Sequence, residues 1–103
     1  MGNCNSPSTR HGDVTFSVNS TKATIENQTD DPIHVSFVRA GRGVKVQTID
    51  AGEKDSTPAD KSVLDGVDYH VTVRDDKGNV IVSWKLSGQW NGWDGQLFIG
   101  RVF

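Results

Sequence analysis

A chain of 103 residues is long enough for one domain with a modest core. Its formal net charge of −2 argues against broad binding to nucleic acid, which requires a basic surface. The single cysteine excludes an internal disulfide, and no apolar stretch approaches the roughly 20 residues of a membrane-spanning helix. Low apolar content and abundant Gly, Ser, Thr, Asn and Asp predict short strands joined by many turns.

The N-terminal segment has no apolar periodicity, so we predict a flexible tail over residues 1–12 and a single β-sandwich domain over residues 13–103. The tail begins MGNCNS, which fits the M-G-x-x-x-[ST] pattern for N-myristoylation. In a eukaryotic source Gly2 is therefore the predicted acylation site. Cys4 is a candidate for a second acyl chain, which matters because one myristoyl group gives only marginal membrane binding. Pro7 counts against the match because it stiffens the backbone, and the alternative is a tail that begins Met-Gly by chance.

The N-terminus also lacks the apolar segment of a secretory signal. We therefore expect a cytoplasmic protein, which associates with a membrane if Gly2 is acylated. Two segments, Asn-Ser-Thr at residues 19–21 and Asn-Gln-Thr at residues 27–29, match the N-glycosylation pattern. Without a secretion signal both are interpreted as chance matches.

Alternation of apolar and polar residues predicts most of the strands. The stretch from Asp68 to Leu86 gives the strongest signal, because alternation on both sides of the Asp/Gly/Asn-rich segment 75–79 is typical of a β-hairpin. Within this hairpin, Trp84 is predicted to face the core. Further strands are predicted at residues 14–18, 22–27, 33–38, 44–49 and 96–103, with a tight turn at residues 40–43.

Two of these strands carry additional predictions. Ile49 breaks the parity set by Val44 and Val46, and a bulge near residues 47–48 would restore it. The final stretch, residues 96–103, leaves few polar positions, so we expect both of its faces to be covered.

One short helical turn is predicted between the strands. Thr57 suits the N-cap, Pro58 suits the first helical position, and Gly66 closes the turn. With turn signals roughly every ten residues, the chain is predicted to be an all-β antiparallel β-sandwich of about seven short strands with this one helical turn.

Candidate catalytic groups are scattered. His11, His34 and His70 are far apart in sequence, and the last two fall on outward strand positions. Cys4 lies in the predicted tail, where nothing holds it against a base. We therefore expect a protein that is not an enzyme and that uses no cofactor.

The histidines and the cysteine show no zinc spacing, and no metal ligands are assigned. Aspartates at residues 30–31, 75–76 and 94 fall in predicted loops, and calcium requires several oxygen ligands from such loops. If the first two loops meet, a calcium-dependent C2-like lipid-binding module is an alternative function. The structural alternative is that each aspartate caps its own backbone in an ordinary turn.

The glycine-rich segment 88–95 is predicted to be a loop and is the best candidate binding site. It carries Trp90, Asn91, Trp93 and Asp94. Flat aromatic faces beside amide and carboxylate oxygens suit a lectin-like carbohydrate site, and tryptophan also suits a membrane interface. The structural alternative is that the tryptophans fold back and cap the end of a thin core.

A basic trio, Arg39, Arg42 and Lys45, surrounds the predicted turn at residues 40–43 and would attract anionic lipid headgroups or phosphate, unless it is simply a solvated tip. The favoured function is a non-enzymatic binding module that associates with a membrane surface through acylated Gly2. A glycan-binding protein is the alternative. A protein partner paired with an exposed final strand is also compatible with the sequence, whereas nucleic acid is not.

Overall fold

The computed structural model describes residues 7–18, 22–39, 44–58, 68–91 and 94–103. At residues 39, 44–45, 57–58, 90–91 and 94–95 it describes the backbone alone. Across these ranges the chain forms nine strands and no helix. The strands make two antiparallel sheets packed face to face, which confirms the predicted all-β sandwich.

The smaller sheet has four strands in the order β1-β2-β3-β6. Alternation produces its inner face, since Val14, Phe16 and Val18 are buried while the residues between them are half-exposed. The strands of this sheet are β1 (Ser8–His11), β2 (Val14–Val18), β3 (Lys22–Asn27) and β6 (Lys54–Pro58).

The larger sheet has five strands in the order β5-β4-β7-β8-β9. The predicted hairpin of residues 68–86 forms its β7 and β8, and Tyr69 pairs with Leu86. The strands of this sheet are β4 (Ile33–Arg39), β5 (Val44–Ile49), β7 (Tyr69–Arg74), β8 (Val80–Asn91) and β9 (Asp94–Arg101).

The core lies between the two sheets and is centred on an aromatic pair. The rings of Phe16 and Trp84 stack with centroids 5.4 Å apart, and both side chains are buried, which confirms the predicted position of Trp84. Burial of each such side chain contributes about 1.5–3 kcal/mol. The other buried hydrophobic residues are Val14, Val18, Ala23, Ile25, Ile33, Val35, Phe37, Ile49, Val71, Val73, Val82, Leu86 and Leu97.

The sheets are aligned, so that corresponding strand ends lie together. At one end, Asn27 Nδ2 on β3 donates to the carbonyl oxygen of Ile49 on β5, at 3.0 Å. Half-way along the strands, Phe16 faces Trp84. We call the Asn27 end the lower end. Four turns form it, at residues 12–13, 28–32, 50–53 and 75–79.

The opposite end is the upper end. There β2 ends at Val18, whose N–H donates to the carbonyl oxygen of Pro7 at 2.9 Å. Lys22 pairs with Pro58 in the smaller sheet, and Arg39 pairs with Tyr69 in the larger sheet. The connections 19–21, 40–43 and 59–67 therefore all leave from strand ends at the upper end.

Two strands were not predicted from the sequence, and both are polar edge strands of the smaller sheet. Residues 8–11 of the predicted tail form β1, paired with β2. Thr57 and Pro58 lie in β6, paired with β3, so the prediction that they begin a helix is wrong. The remainder of that predicted helix, and residues 1–6 of the predicted tail, lie outside the described residues.

The bulge predicted in β5 is also wrong. The pairing of β4 with β5 runs without a shift from Ile33 opposite Ile49 to Val38 opposite Val44. Val46 therefore lies on the outer face, 66% exposed, and Ile49 lies in the core. Val46 occupies an outward position despite being apolar, because uninterrupted pairing with β4 fixes the face of each residue.

The last strand, β9, is an edge strand, and the prediction that both its faces are covered is wrong. Leu97 is buried, but Phe98 is 47% exposed on the other face. Beyond the strand, Val102 and Phe103 are 58% and 66% exposed. The apolar composition of this segment therefore reflects an uncovered outer surface as well as a core contribution.

Candidate functional site

The lower end is fastened by a buried amide. Asn27 is fully buried, and its Nδ2 also donates to the carbonyl oxygen of Asp31 at 2.9 Å. Its Oδ1 accepts from the N–H and the hydroxyl of Thr29, at 3.0 and 2.6 Å. One side chain thus joins β3, the 28–32 turn and β5 across the two sheets. A glycan on this amide is incompatible with those bonds, which agrees with the interpretation of residues 27–29 as a chance match.

A second lower-end turn is organised by Asp75. Its Oδ1 accepts from the N–H groups of Lys77 at 2.9 Å and Asn79 at 2.8 Å. The hydrogen bond from the Asn79 backbone is the largest contribution that lowers the pKa of Asp75 below its ordinary value of 3.8. Asp75 therefore caps the backbone of its own turn, which is the alternative that the sequence analysis set against a calcium ligand.

The 28–32 and 75–79 turns do meet, as the calcium hypothesis requires. They line an open groove of about 540 Å³, with Asp31 on one side, Asp75 and Asp76 on the other, and Ile33 and Ile81 between them. Within the described residues, however, no three His, Cys, Asp or Glu side chains are grouped closely enough to hold a metal ion. The groove therefore gives the C2-like alternative no ligand set among these residues.

The strongest candidate lies at the upper end, in an extension of β8 and β9. The pairing of β8 with β7 stops at Leu86, whereas its pairing with β9 continues from Ser87 opposite Phe98 to Asn91 opposite Asp94. Residues 87–91 and 94–98 thus form a two-stranded ribbon that passes the end of β7. The prediction of a loop over residues 88–95 is wrong, since six of these residues are paired strand.

The ribbon is long for a domain of this size. Its five residues per strand beyond Leu86 add about 17 Å at about 3.4 Å per residue. At the same rise the twelve residues of β8 measure about 41 Å, and the longest extent of the Cα atoms is 43 Å. The ribbon therefore extends about 17 Å past the end of the pairing between β7 and β8, and Leu97 within it still belongs to the core.

Backbone pairing brings three predicted site residues together at that tip. Asn91 lies directly opposite Asp94, and Trp90 lies opposite Gly95. Trp93 lies outside the described residues, and the side chains of the other three are not described. That Trp90 and Trp93 form part of a binding site therefore stays a prediction.

The other predicted sites belong to the same end of the molecule. The chain enters the sandwich at Pro7, beside Val18, so the segment containing Gly2 and Cys4 is joined to the domain at the upper end. Gly2 and Cys4 themselves lie outside the described residues. The flanks of the basic trio, Arg39 and the start of β5, also lie at the upper end.

The three histidines do not come together at this end or at any other place. His34 shares a hydrogen bond with the hydroxyl of Thr48 at 3.0 Å on the outer face of the larger sheet. His70 is exposed opposite Val38 and Lys85 on that face, and His11 lies on β1 of the other sheet. The three described rings therefore occupy separate places, and the expectation that the protein is not an enzyme stays a prediction.

Sequence reasoning missed two features of the lower end. The sequence analysis assigns Asn27 no structural role beyond its strand, although Asn followed two residues later by Thr is also a signal for a turn closed by side-chain hydrogen bonds. The sequence also did not predict the groove between the two turns, because Pro32 and Ile81 are far apart in the chain and line one groove only in the folded sandwich.

In the described part of the chain, no helix is long and apolar enough to cross a bilayer. Comparison with protein-family models, with curated protein sequences and with solved structures finds no significant match for this chain.

Proposed function

We propose that this protein is a non-enzymatic binding module that associates with a membrane surface through the upper end of the sandwich. Gly2, acylated in a eukaryotic cell, supplies the first membrane signal. The tryptophan-bearing tip of the β8–β9 ribbon and the basic trio supply the second. The observation that carries the proposal is that strand topology joins all three segments to one end of the molecule.

Convergence matters because each signal alone is weak. A single myristoyl chain binds reversibly, and stable association takes a second signal such as another acyl chain or a basic patch. Tryptophan is favoured at the level of lipid headgroups. Segments leaving from opposite ends of the sandwich would not reach one surface together, whereas segments leaving from the same end do.

The charge of the two ends supports the same orientation. The four lower-end turns contain seven carboxylates and one lysine. The upper-end connections 19–21, 40–43 and 59–67 contain two carboxylates, one lysine and one arginine. An anionic membrane repels the lower end, and each basic residue near its surface contributes about 1 kcal/mol of attraction. The upper end is thus the end that approaches an anionic leaflet.

The first experiment is intact-mass analysis of the protein made with a eukaryotic N-myristoyltransferase. We expect removal of Met1 and a myristoyl adduct on Gly2, and no adduct in Gly2→Ala. The myristoylated protein should then sediment with vesicles that contain phosphatidylserine. An unmodified Gly2 contradicts the proposal.

The second experiment separates the tip from the acyl chain. In the myristoylated protein, Trp90→Ala with Trp93→Ala should reduce vesicle binding several-fold. Phe103→Ala is the matched control, because Phe103 is an aromatic residue 66% exposed near the lower end. Equal losses in the tip variant and the control would contradict an oriented membrane contact.

A lectin-like function is the second candidate, favoured by the ribbon itself. The projecting tip pairs Asn91 with Asp94 and carries Trp90 one position away, which are the groups that stack on a sugar ring and bond its hydroxyls. A glycan array with unacylated protein tests it. Binding that disappears in Trp90→Ala and Trp93→Ala supports a carbohydrate site, whereas binding that survives both contradicts it.

A further inference from the structure

The negative charge of the molecule is concentrated at its lower end. The four turns there contain seven carboxylates and one lysine, whereas the formal net charge of the whole chain is only −2. Two of these turns, at residues 28–32 and 75–79, line the open groove of about 540 Å³. A groove of this volume lies within the ordinary size range of ligand sites. The molecule therefore has a ligand-sized groove within a strongly acidic surface.

The hydrogen bonds of the turns engage one carboxylate of the groove and leave two others available. Asp75 accepts from the N–H groups of Lys77 and Asn79, and its Oδ2 accepts from the side chain of Asn79 at 3.4 Å. Asp31 and Asp76 lie on opposite walls of the groove, and both are exposed. Within the described part of the chain, Asp31 makes its hydrogen bonds through backbone atoms, and no hydrogen bond or ion pair engages either carboxylate. Both carboxylates can therefore bind a group from outside the protein.

The lining between the two walls is apolar. Pro32 and Ile81 are half-buried there, and Ile33 belongs to the core. Arginine and lysine fit such a lining, because their aliphatic stems cover apolar surface while their charged ends stay at a polar rim. The carboxylates are too far apart to share one ion, since no three possible ligands are grouped among the described residues. Separate carboxylates can instead each pair with a different cation of one chain.

We propose that this groove binds a basic peptide segment of a protein partner. Arginine or lysine side chains of the segment pair with Asp31 and Asp76, and their stems lie against Pro32 and Ile81. Charge complementarity selects this occupant, because a cleft lined by one sign of charge attracts the opposite sign and disfavours a ligand of its own sign. Several cations on one chain are required, since a single exposed ion pair contributes little.

The groove is separate from the surface proposed to contact a membrane. It lies at the lower end, whereas the acylated segment and the β8–β9 ribbon leave the sandwich at the upper end. A basic partner can therefore bind while the upper end rests on a membrane. The inference does not depend on that contact, because the residues of the groove are independent of it.

Fluorescence anisotropy of the unacylated protein, without lipid, tests the proposal. The probe is a short labelled peptide of alternating arginine and alanine, with both termini blocked. We expect it to bind and to bind more weakly at high salt, because ions screen exposed charges. The control peptide has citrulline at each arginine position, which keeps the shape of the side chain and removes its charge. Equal binding of the two peptides would overturn the proposal.

Substitutions then locate the bound peptide. Asp31→Asn with Asp76→Asn should raise the dissociation constant at least tenfold. Asp50→Asn with Glu53→Gln is the matched control, because it removes two exposed charges from the same end of the molecule but outside the groove lining. A thermal melt shows that each variant is folded. Equal losses in the two variants would indicate diffuse attraction to the acidic end and would overturn a groove site.

A gain of affinity provides the converse test. Lys77 lines the groove and repels a basic ligand, so Lys77→Ala should tighten binding of the arginine peptide several-fold. Lys54→Ala, at an exposed position on β6, is the control and should tighten it less. Weaker binding by Lys77→Ala contradicts the proposal, as does a wild type that binds no peptide at about 1 mM, the weak end of specific association. Because neither lipid nor acylation enters these measurements, their failure leaves the membrane experiments unaffected.

Discussion

The two ends of the sandwich differ in how their strands are connected. At the lower end, Asn27 and Asp75 use side-chain atoms to satisfy backbone groups in the turns, and Asn27 bridges both sheets. At the upper end, strands run on into the ribbon, and the segments with every favoured site residue leave the body there. The lower end holds the fold, and the upper end carries the candidate function.

This division explains why charge and burial differ along the molecule. Turns closed by side-chain hydrogen bonds favour aspartate and asparagine, and Asp75 occupies its turn for this structural reason. The acidity of the lower end is therefore weak evidence of a metal site. It is stronger evidence of a surface that anionic partners repel. Four predictions test the division, from the largest expected effect to the smallest.

The largest expected effect is in the body that both ends share. Trp84 is 1% exposed and stacks on Phe16, so Trp84→Ala should lower the free energy of unfolding by about 4 kcal/mol. Urea denaturation measures the change. Trp84→Phe keeps most of the volume and should cost less, and Phe98→Ala, at an exposed position, provides the surface comparison. A loss below about 1 kcal/mol would show that the aromatic pair is not central to the core.

The next effect tests the lower end. Asn27→Ala leaves the carbonyl groups of Asp31 and Ile49 without their donor, and should cost about 2–3 kcal/mol in free energy of unfolding. Gln28→Ala is the control, since Gln28 is exposed and its backbone N–H keeps its bond to Asp13. We expect a change within about 0.5 kcal/mol for it. Equal costs at the two positions would contradict the bridging role of Asn27.

A smaller effect depends on pH. Because hydrogen bonds from Asn79 lower the pKa of Asp75 in the folded protein, the stability that Asp75 contributes is present above its ordinary value of 3.8. That contribution disappears as the pH falls below 3.8 through the folded pKa. The urea midpoints of wild type and Asp75→Asn should therefore converge on acidification. Midpoints that diverge as the pH falls would give the wrong sign.

The smallest effect on stability is expected at the tip. If the tryptophans act on something outside the protein, Trp90→Ala with Trp93→Ala should change the free energy of unfolding by less than about 0.5 kcal/mol. The urea titration used for Trp84→Ala provides the scale. A loss of about 2 kcal/mol or more would support the alternative, in which these tryptophans cap the core.

The sequence predicted the strands whose inner faces are uniformly apolar. Phe16, Val35 and Val73 each lie in a run of strict alternation, and each is buried as expected. Alternation identifies a strand only when one face is packed and the other is wet. β1 and β6 do not meet that condition, because edge pairing rather than an apolar period makes them strands.

Errors in the other direction arose where apolar residues lie outside the core. Val46 and Phe98 are both apolar and exposed. The alternation of apolar residues therefore predicted a bulge near Val46 and a second buried face at Phe98, and both predictions are wrong. Because glycine weakens a strand, the sequence predicts a loop around Gly88, yet pairing with β9 extends β8 through this segment. The candidate site residues were found from the sequence, but their joining to one end of the sandwich follows only from the topology.

The ribbon has a consequence for how this domain can change. Past Leu86 the two strands of the ribbon are paired with each other and not with β7, so among the described strands the backbone of the tip is held by this pairing alone. Two-stranded hairpins contribute little stability by themselves. Residues near the tip are therefore free to vary without unfolding the body, and a related domain could acquire a new ligand by exchanging this hairpin alone. The same property makes the ribbon a site at which a foreign recognition hairpin can be grafted.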